Sequence, residues 1–74
     1  MPAVLRVALP VPLPTLFDYL PPAAGAAGVG SRVLVPFGRH RLVGVVVAIE
    51  AEAAVENRRL KQALRLLDDE ALLD

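Results

Sequence analysis

The sequence predicts a small, predominantly β domain that curls toward a barrel, and three observations carry that expectation. Apolar and polar residues alternate with a period of two over Ala3–Leu9, Thr15–Leu20 and Ser31–Phe37. A valine-rich run from Arg41 to Glu50 is apolar on both sides, as expected of a strand that bends through a small barrel. Between the first two runs, Pro10, Pro12 and Pro14 exclude both helix and central strand. At 74 residues the chain makes one small domain, whose core is marginally stable when it stands alone.

Taken in order, the first strand sets Leu5, Val7 and Leu9 on one face and Val4, Arg6 and Ala8 on the other. The prolines that follow lack an N–H and hold φ near polyproline II, so they form an extended arm. After the arm, Thr15–Leu20 puts Phe17 and Tyr19 on one face and Leu16, Asp18 and Leu20 on the other, and Pro21-Pro22 ends it. Asp18 is thus a lone acid between two aromatics, where a charge is costly unless a partner or ligand meets it. Ala23–Gly30 (AAGAAGVG) has no side chain large enough to pack and reads as a flexible connector. Ser31–Phe37 then turns Val33, Val35 and Phe37 to one face and Arg32 and Leu34 to the other. Gly38 starts a turn through Arg39 and His40, which makes a hairpin with Arg41–Glu50, and Gly44 supplies the kink that curling needs.

Residues 60–67 carry two conflicting patterns. Leu60, Ala63, Leu64, Leu67 and Ala71 form a helical stripe opposite Arg58, Lys61, Gln62 and Arg65, and propensity agrees with a helix. Yet Leu60, Gln62, Leu64 and Leu66 also alternate, and a fifth strand here would close the open sheet. Such a strand would bury Leu60, Leu64 and Leu66 and turn Lys61 toward Asp18. Composition alone favours the helix.

The zero net charge divides into two halves. Residues 1–49 carry Arg6, Arg32, Arg39 and Arg41 against Asp18 alone, a net of +3, whereas residues 50–74 carry seven acids against Arg58, Arg59, Lys61 and Arg65, a net of −3. The Arg39-His40-Arg41 turn and the Arg58-Arg59-x-Lys61 cluster could each meet phosphate or stand as a solvated turn. With one histidine, no cysteine and no Walker-type phosphate loop, the chain lacks the parts for a zinc site, a thiol nucleophile or a nucleotide-hydrolysing centre. His40 reads as a turn residue, since no orienting carboxylate lies near it in sequence. Pro12-x-Pro14 resembles a polyproline ligand only formally, because it sits between two strands and folds in with them. No signal peptide is visible and the longest apolar run, Leu42–Ile49, is far too short to span a bilayer, so a soluble chain in a reducing cytosol is expected.

Five runs resemble a known family. VALPVPLP (7–14), FDYLPP (17–22), GSRVLVPFGRH (30–40), GVVVAI (44–49) and LKQALRLLD (60–68) occur in this order across essentially the whole chain. Together they resemble the N-terminal 3′-DNA-binding domain of PriA-type bacterial replication restart helicases, also called primosomal protein N′. The resemblance implies an all-β fold, a small five-stranded OB-like barrel with the proline-rich extended arm, and a strand rather than a helix around Lys61. It implies that residues 1–74 are the N-terminal fragment of a larger helicase, followed by a winged helix, which agrees with an acidic DDEALLD end that lacks a closing element. The alanine-rich loop at 23–29 and the basic Arg39-His40-Arg41 turn depart from the family pattern without touching the implied site. No cofactor is expected of this chain, whereas ATP, magnesium and zinc are implied for other domains of the full-length helicase. The implied partners are a DNA 3′ end at forks, the other domains of the helicase and, through them, primosome proteins and single-stranded DNA-binding protein, in the bacterial cytoplasm and without a membrane.

The function so implied is capture of the 3′-hydroxyl end of a nascent leading strand at a stalled or abandoned fork, with little base specificity and no catalysis in this chain. Matched residue by residue, the 3′-end site would comprise Phe17, Asp18, Tyr19, Gly38 and Lys61, with Arg39 and Arg41 on the approach of the DNA backbone. These residue types suit the task. A carboxylate accepts a hydrogen bond from a free 3′-hydroxyl but repels the phosphodiester that an internal nucleotide would place there. Phe17 and Tyr19 offer apolar faces to a sugar or base, or else face the core and only position Asp18. Gly38 lets backbone approach the ligand closely, and Lys61 would offset the preceding phosphate or reach the base edge. Two other readings stand beside this one: an SH3-like protein-interaction module in which backbone donors satisfy Asp18, and a hydrolase or transferase, for which Asp18 lacks a second carboxylate or a base.

Overall fold

The computed structural model describes residues 4–51 and 60–67, which form an all-β, five-stranded barrel of OB-like character. The strands are β1 (Val4–Ala8), β2 (Phe17–Tyr19), β3 (Arg32–Phe37), β4 (His40–Glu50) and β5 (Arg65–Leu66). They lie in the order β2-β1-β4-β3-β5, every neighbouring pair antiparallel. The two ends of that order then meet. Leu20, just past β2, bridges Gln62 in parallel, its N–H donating to the Lys61 carbonyl and its carbonyl accepting from the Ala63 N–H, each at 2.9 Å. On its other side the same segment reaches β3, where Leu64 N–H donates to the Leu34 carbonyl at 2.7 Å and Leu67 N–H to the Arg32 carbonyl at 2.9 Å. The sheet therefore closes on itself and covers the unpaired edges that an open sheet would present.

The alternation read from the sequence places most of the core, although Val4, set on the face opposite Leu5 and Val7, is fully buried as well. Leu5, Val7, Tyr19, Val33, Val35, Val46, Ala63 and Leu66 form one buried cluster, with Leu9, Phe17 and Ala27 packed against it, while Arg32 stays exposed. Each fully buried valine or leucine contributes about 1.5–3 kcal/mol relative to exposure, and these side chains come from all five strands, so the core joins the whole barrel. The loop after β2 does more than connect, because Ala27 packs on this core and Pro22 is buried. The strand expected over Thr15–Leu20 shortens to Phe17–Tyr19, Thr15 and Leu16 remaining with the arm.

The helix that composition favours over residues 60–67 does not form, and among the described residues there is no helix at all. Strict strand alternation does not hold there either: Ala63 and Leu66 are buried, Leu60 is half-buried and Leu64 is exposed. The reason is the seam itself. Leu20 on one side and Leu34 and Arg32 on the other offer backbone partners to an extended segment, and satisfying them outweighs propensities that differ by only about 0.7 kcal/mol per residue or less. Arg58, Arg59 and Ala71 lie outside the described residues.

In β4 the register against β1 shifts between Arg6 and Val7, so that Arg6 opposes Ala48 while Val7 opposes Val46. Val47 is the extra residue of a bulge, and a bulge bends its strand. Gly44, expected to supply the kink, is needed for a different reason: β1 passes directly over it. A Cβ there would lie 2.6 Å from Leu9 Cδ2, 2.8 Å from the Ala8 carbonyl oxygen and against Val7 Cγ1. Gly44→Ala is expected to destabilise the domain by about 1–3 kcal/mol through overpacking, read from urea unfolding. Gly28→Ala, where an added Cβ meets nothing within 4 Å, is the control and should change stability by no more than about 0.5 kcal/mol.

Candidate functional site

A groove of about 440 Å³ opens along the barrel seam. Its walls are Phe17, Asp18 and Tyr19 of β2 with Arg6 of β1 beside them, the end of β3 with Gly38, and the Leu60-Lys61 pair, while Thr15 and Leu16 of the arm contribute to the rim. The five residues matched to the 3′-end site, Phe17, Asp18, Tyr19, Gly38 and Lys61, all line this one groove, although Lys61 is far from the others in sequence. Closure accounts for the meeting, since the hydrogen bond from Leu20 N–H to the Lys61 carbonyl fixes that residue at the end of β2. Arg39 and Arg41 are exposed on the β3–β4 hairpin and line no part of the groove.

The pleat of β2 turns Phe17 and Tyr19 inward and Asp18 to the opposite face. There Asp18 stands directly across the ladder from Arg6, and Arg6 Nε lies 3.2 Å from Asp18 Oδ1. The Asp18 side chain is only 8% exposed against 36% for Arg6. Both contacting atoms are buried and the Nε–H does not point along the line between them, so the contact is an ion pair without hydrogen-bond alignment. A carboxylate placed in an apolar setting needs such a counter-charge to offset its lost hydration. Arg6 was missing from the residues singled out in the sequence. Its signal lay in the alternation that puts it opposite Leu5 and Val7, yet which strand it would face is a matter of pairing.

Both aromatics of β2 make structural contacts. Tyr19 is buried in the core, and its hydroxyl donates to the Pro36 carbonyl at 2.7 Å, tying β2 to the end of β3 across the groove. Burial pushes its phenol above the usual 10.0. Phe17 is half-buried and meets Phe37 edge to face, ring centroids 5.2 Å apart at 84°. Gly38 takes φ +61° in a two-residue turn between the paired Phe37 and His40, while Arg39 has negative φ. That is the pattern of a type II′ hairpin, whose first position favours glycine. A Cβ at Gly38 would meet nothing within 4 Å, so it is conformation and not crowding that asks for glycine there.

Among the described residues, no three histidine, aspartate or glutamate side chains group as metal ligands, and no helix is long and apolar enough to cross a membrane. The site instead offers one paired carboxylate, one cation from the facing segment, backbone at a glycine turn and aromatic walls.

The raised Tyr19 pKa has a definite sign in stability. The neutral phenol is favoured in the folded state, so its contribution is complete below about pH 10 and is lost as pH rises through the folded value. Tyr19→Phe is expected to cost about 0.5–1.5 kcal/mol at neutral pH through the lost hydrogen bond. It should also remove part of the alkaline loss of stability, measured by thermal unfolding of both proteins at neutral pH and above about pH 10.

Comparison with known proteins places the chain. The family model described as the PriA 3′DNA-binding domain (3′BD) matches residues 6–74. The chain is 45% identical over 65 residues to the replication restart protein PriA of Haemophilus influenzae, covering 88% of this chain and 9% of that protein. It is 38% identical over 76 residues to the PriA of Treponema pallidum, covering 95% and 12% respectively, and 32% identical over 69 residues to that of Buchnera aphidicola from Acyrthosiphon pisum, covering 93% and 10%. The chain thus spans about a tenth of the length of these relatives.

Proposed function

The chain belongs to the 3′DNA-binding domain family of PriA, and from that premise we propose that its seam groove captures the free 3′-hydroxyl end of a DNA strand. The observation that carries this reading is the convergence of Asp18, Gly38 and Lys61 on one groove from three separate segments. Asp18 accepts a hydrogen bond from the terminal hydroxyl, and its negative charge disfavours a strand that continues, because a phosphodiester would sit where the hydroxyl ends. Arg6 restrains the carboxylate and offsets its charge, so that an anionic strand is not repelled before it docks. Lys61 meets the last phosphate, Phe17 and Leu16 give the sugar or base an apolar wall, and Gly38 exposes backbone to it. Tyr19 holds the strand that presents Asp18. None of these contacts reads a base edge pattern, so little sequence preference follows.

Within a longer protein of the kind its relatives are, the domain would act at the N-terminal side of a winged helix as the end sensor of a replication restart helicase. It would recognise the nascent leading strand at abandoned forks. The ATP-, magnesium- and zinc-dependent parts, and the contacts to primosome proteins and single-stranded DNA-binding protein, belong in this reading to the other domains.

Asp18→Ala is expected to weaken binding of an oligonucleotide with a free 3′-hydroxyl by about 1.5–3 kcal/mol, the worth of a hydrogen bond to a charged group. The half-exposed Arg6 can hydrate in its absence, so circular dichroism should show the fold retained. Fluorescence anisotropy with 3′-hydroxyl and 3′-phosphate oligonucleotides checks the role, and a variant that still distinguishes the two ends as the parent does would refute it.

Lys61 and the hairpin arginines should separate by salt. Each phosphate neutralised on a single strand adds about 0.7 to the slope of log affinity against log salt. Lys61→Ala is expected to lower affinity and also the preference for a 3′-hydroxyl, whereas Arg39→Ala and Arg41→Ala should lower affinity and salt slope and leave the preference intact. A salt titration with both oligonucleotides decides it: loss of preference in the arginine variants alone would put the binding site on the hairpin instead of in the groove.

A further inference from the structure

We propose that Arg6 sets the end selectivity of the seam groove: it is a latent phosphate ligand that Asp18 withholds from the strand, so that neutralising Asp18 inverts the choice of end. The inference rests on the reading of the groove as a 3′-end site and names the residue that decides which end it takes. Strand pairing brings the two groups together. Arg6 and Asp18 are direct cross-strand partners of β1 and β2, with Arg6 Nε 3.2 Å from Asp18 Oδ1.

The pair is lopsided. The Asp18 side chain is 8% exposed and that of Arg6 36%, although Arg6 Nε itself is buried. A counter-ion that served only to neutralise the acid would sink with it and meet it fork to fork, through two parallel N–H···O bonds. Here the contact runs through Nε and lacks hydrogen-bond alignment. Four of the five guanidinium N–H donors sit on the two terminal nitrogens, in the planar fork that matches phosphate oxygens. Arg6 lines the groove together with Asp18 and Lys61, so a strand seated there lies beside that fork.

Charge then accounts for a groove that attracts a strand and refuses a capped end. The charged residues lining it are Arg6, Lys61 and Asp18, two cations against one carboxylate. A 3′-phosphate at Asp18 would find the neighbouring arginine already facing a carboxylate, and its own charge of about −1.5 to −2 is repelled by that carboxylate. A hydroxyl end brings no charge to Asp18 and leaves the pair in place. With Asp18 neutral, the Arg6 fork and Lys61 of the facing segment form an anion site, which a 3′-phosphate fills better than a hydroxyl does. Selectivity therefore resides in the pair and not in the carboxylate alone.

The test is fluorescence anisotropy of the 74-residue chain with two oligonucleotides that differ only in a 3′-hydroxyl or a 3′-phosphate end. Circular dichroism checks that each variant folds. The parent is expected to prefer the hydroxyl. Asp18→Asn, neutral and nearly isosteric, is expected to reverse that preference and bind the 3′-phosphate oligonucleotide about tenfold more tightly than the hydroxyl one, the ratio that one hydrogen bond to a charged group supplies. Adding Arg6→Gln should bring the two ends back to within about twofold of each other. Adding Arg6→Lys instead keeps the charge and loses the fork, so it should retain only part of the reversal, and it carries the test if the glutamine variant does not fold. The proposal is overturned if Asp18→Asn binds both ends alike or keeps the parent's preference. It is overturned too if the reversal survives either Arg6 substitution undiminished, which would assign the phosphate to Lys61 or another cation. A parent indifferent to the two ends would overturn the 3′-end reading itself, and this inference with it.

Discussion

Closure of the sheet is the constraint on which the rest depends. β2 has three residues and β5 only two, and neither is long enough to persist as a free edge. Leu20 resolves this by taking one hydrogen bond from Ala63 and giving one to Lys61, while the next residues along the same segment bond to Leu34 and Arg32 of β3. An extended stretch with little regular structure of its own thus becomes the keystone of a barrel. The core cluster follows from it, since Ala63 and Leu66 can be buried only if the segment that carries them lies between β2 and β3.

The groove is a by-product of the same closure. Where strands from opposite ends of a sheet are brought together they do not interdigitate fully, and the space left between β2, the β3–β4 turn and Leu60-Lys61 is lined by groups from each. Rigid neighbours surround it. Tyr19 is locked by its bond to Pro36, Phe17 by its edge contact with Phe37, and Asp18 by the Arg6 pair on an adjacent strand. A carboxylate held this way has little side-chain freedom left to lose on binding a ligand.

The two faces of β4 meet different surroundings. Its inward residues, Gly44 and Val46, fit beneath β1, where even one added methyl would collide. Its outward residues Val43 and Val45 keep the aliphatic character and leave it exposed beside arginines from β3 and β5. The valine-rich run was legible in the sequence as a strand apolar on both sides. What its outer side meets depends on which neighbours flank it, and those come from other strands.

Local chemistry determined much of this protein from the sequence alone. Period-two alternation placed Leu5, Val7, Val33 and Val35 inside, the prolines excluded regular structure from residues 10–14, and Gly38 marked the hairpin turn, because each depends only on dihedral preferences and on which side of a strand a residue falls. The isolation of Asp18 between two aromatics was equally visible. Its counter-ion was not, since Arg6 reaches it only through the β1–β2 register, nor was the extended course of residues 60–67, where short-range propensity pointed to a helix. Backbone groups on Leu20, Leu34 and Arg32 decided that segment, and they become its neighbours only when the barrel closes. Long-range pairing carries no local signature; it is set by the satisfaction of every buried N–H and carbonyl at once, and that condition exists only in the folded whole.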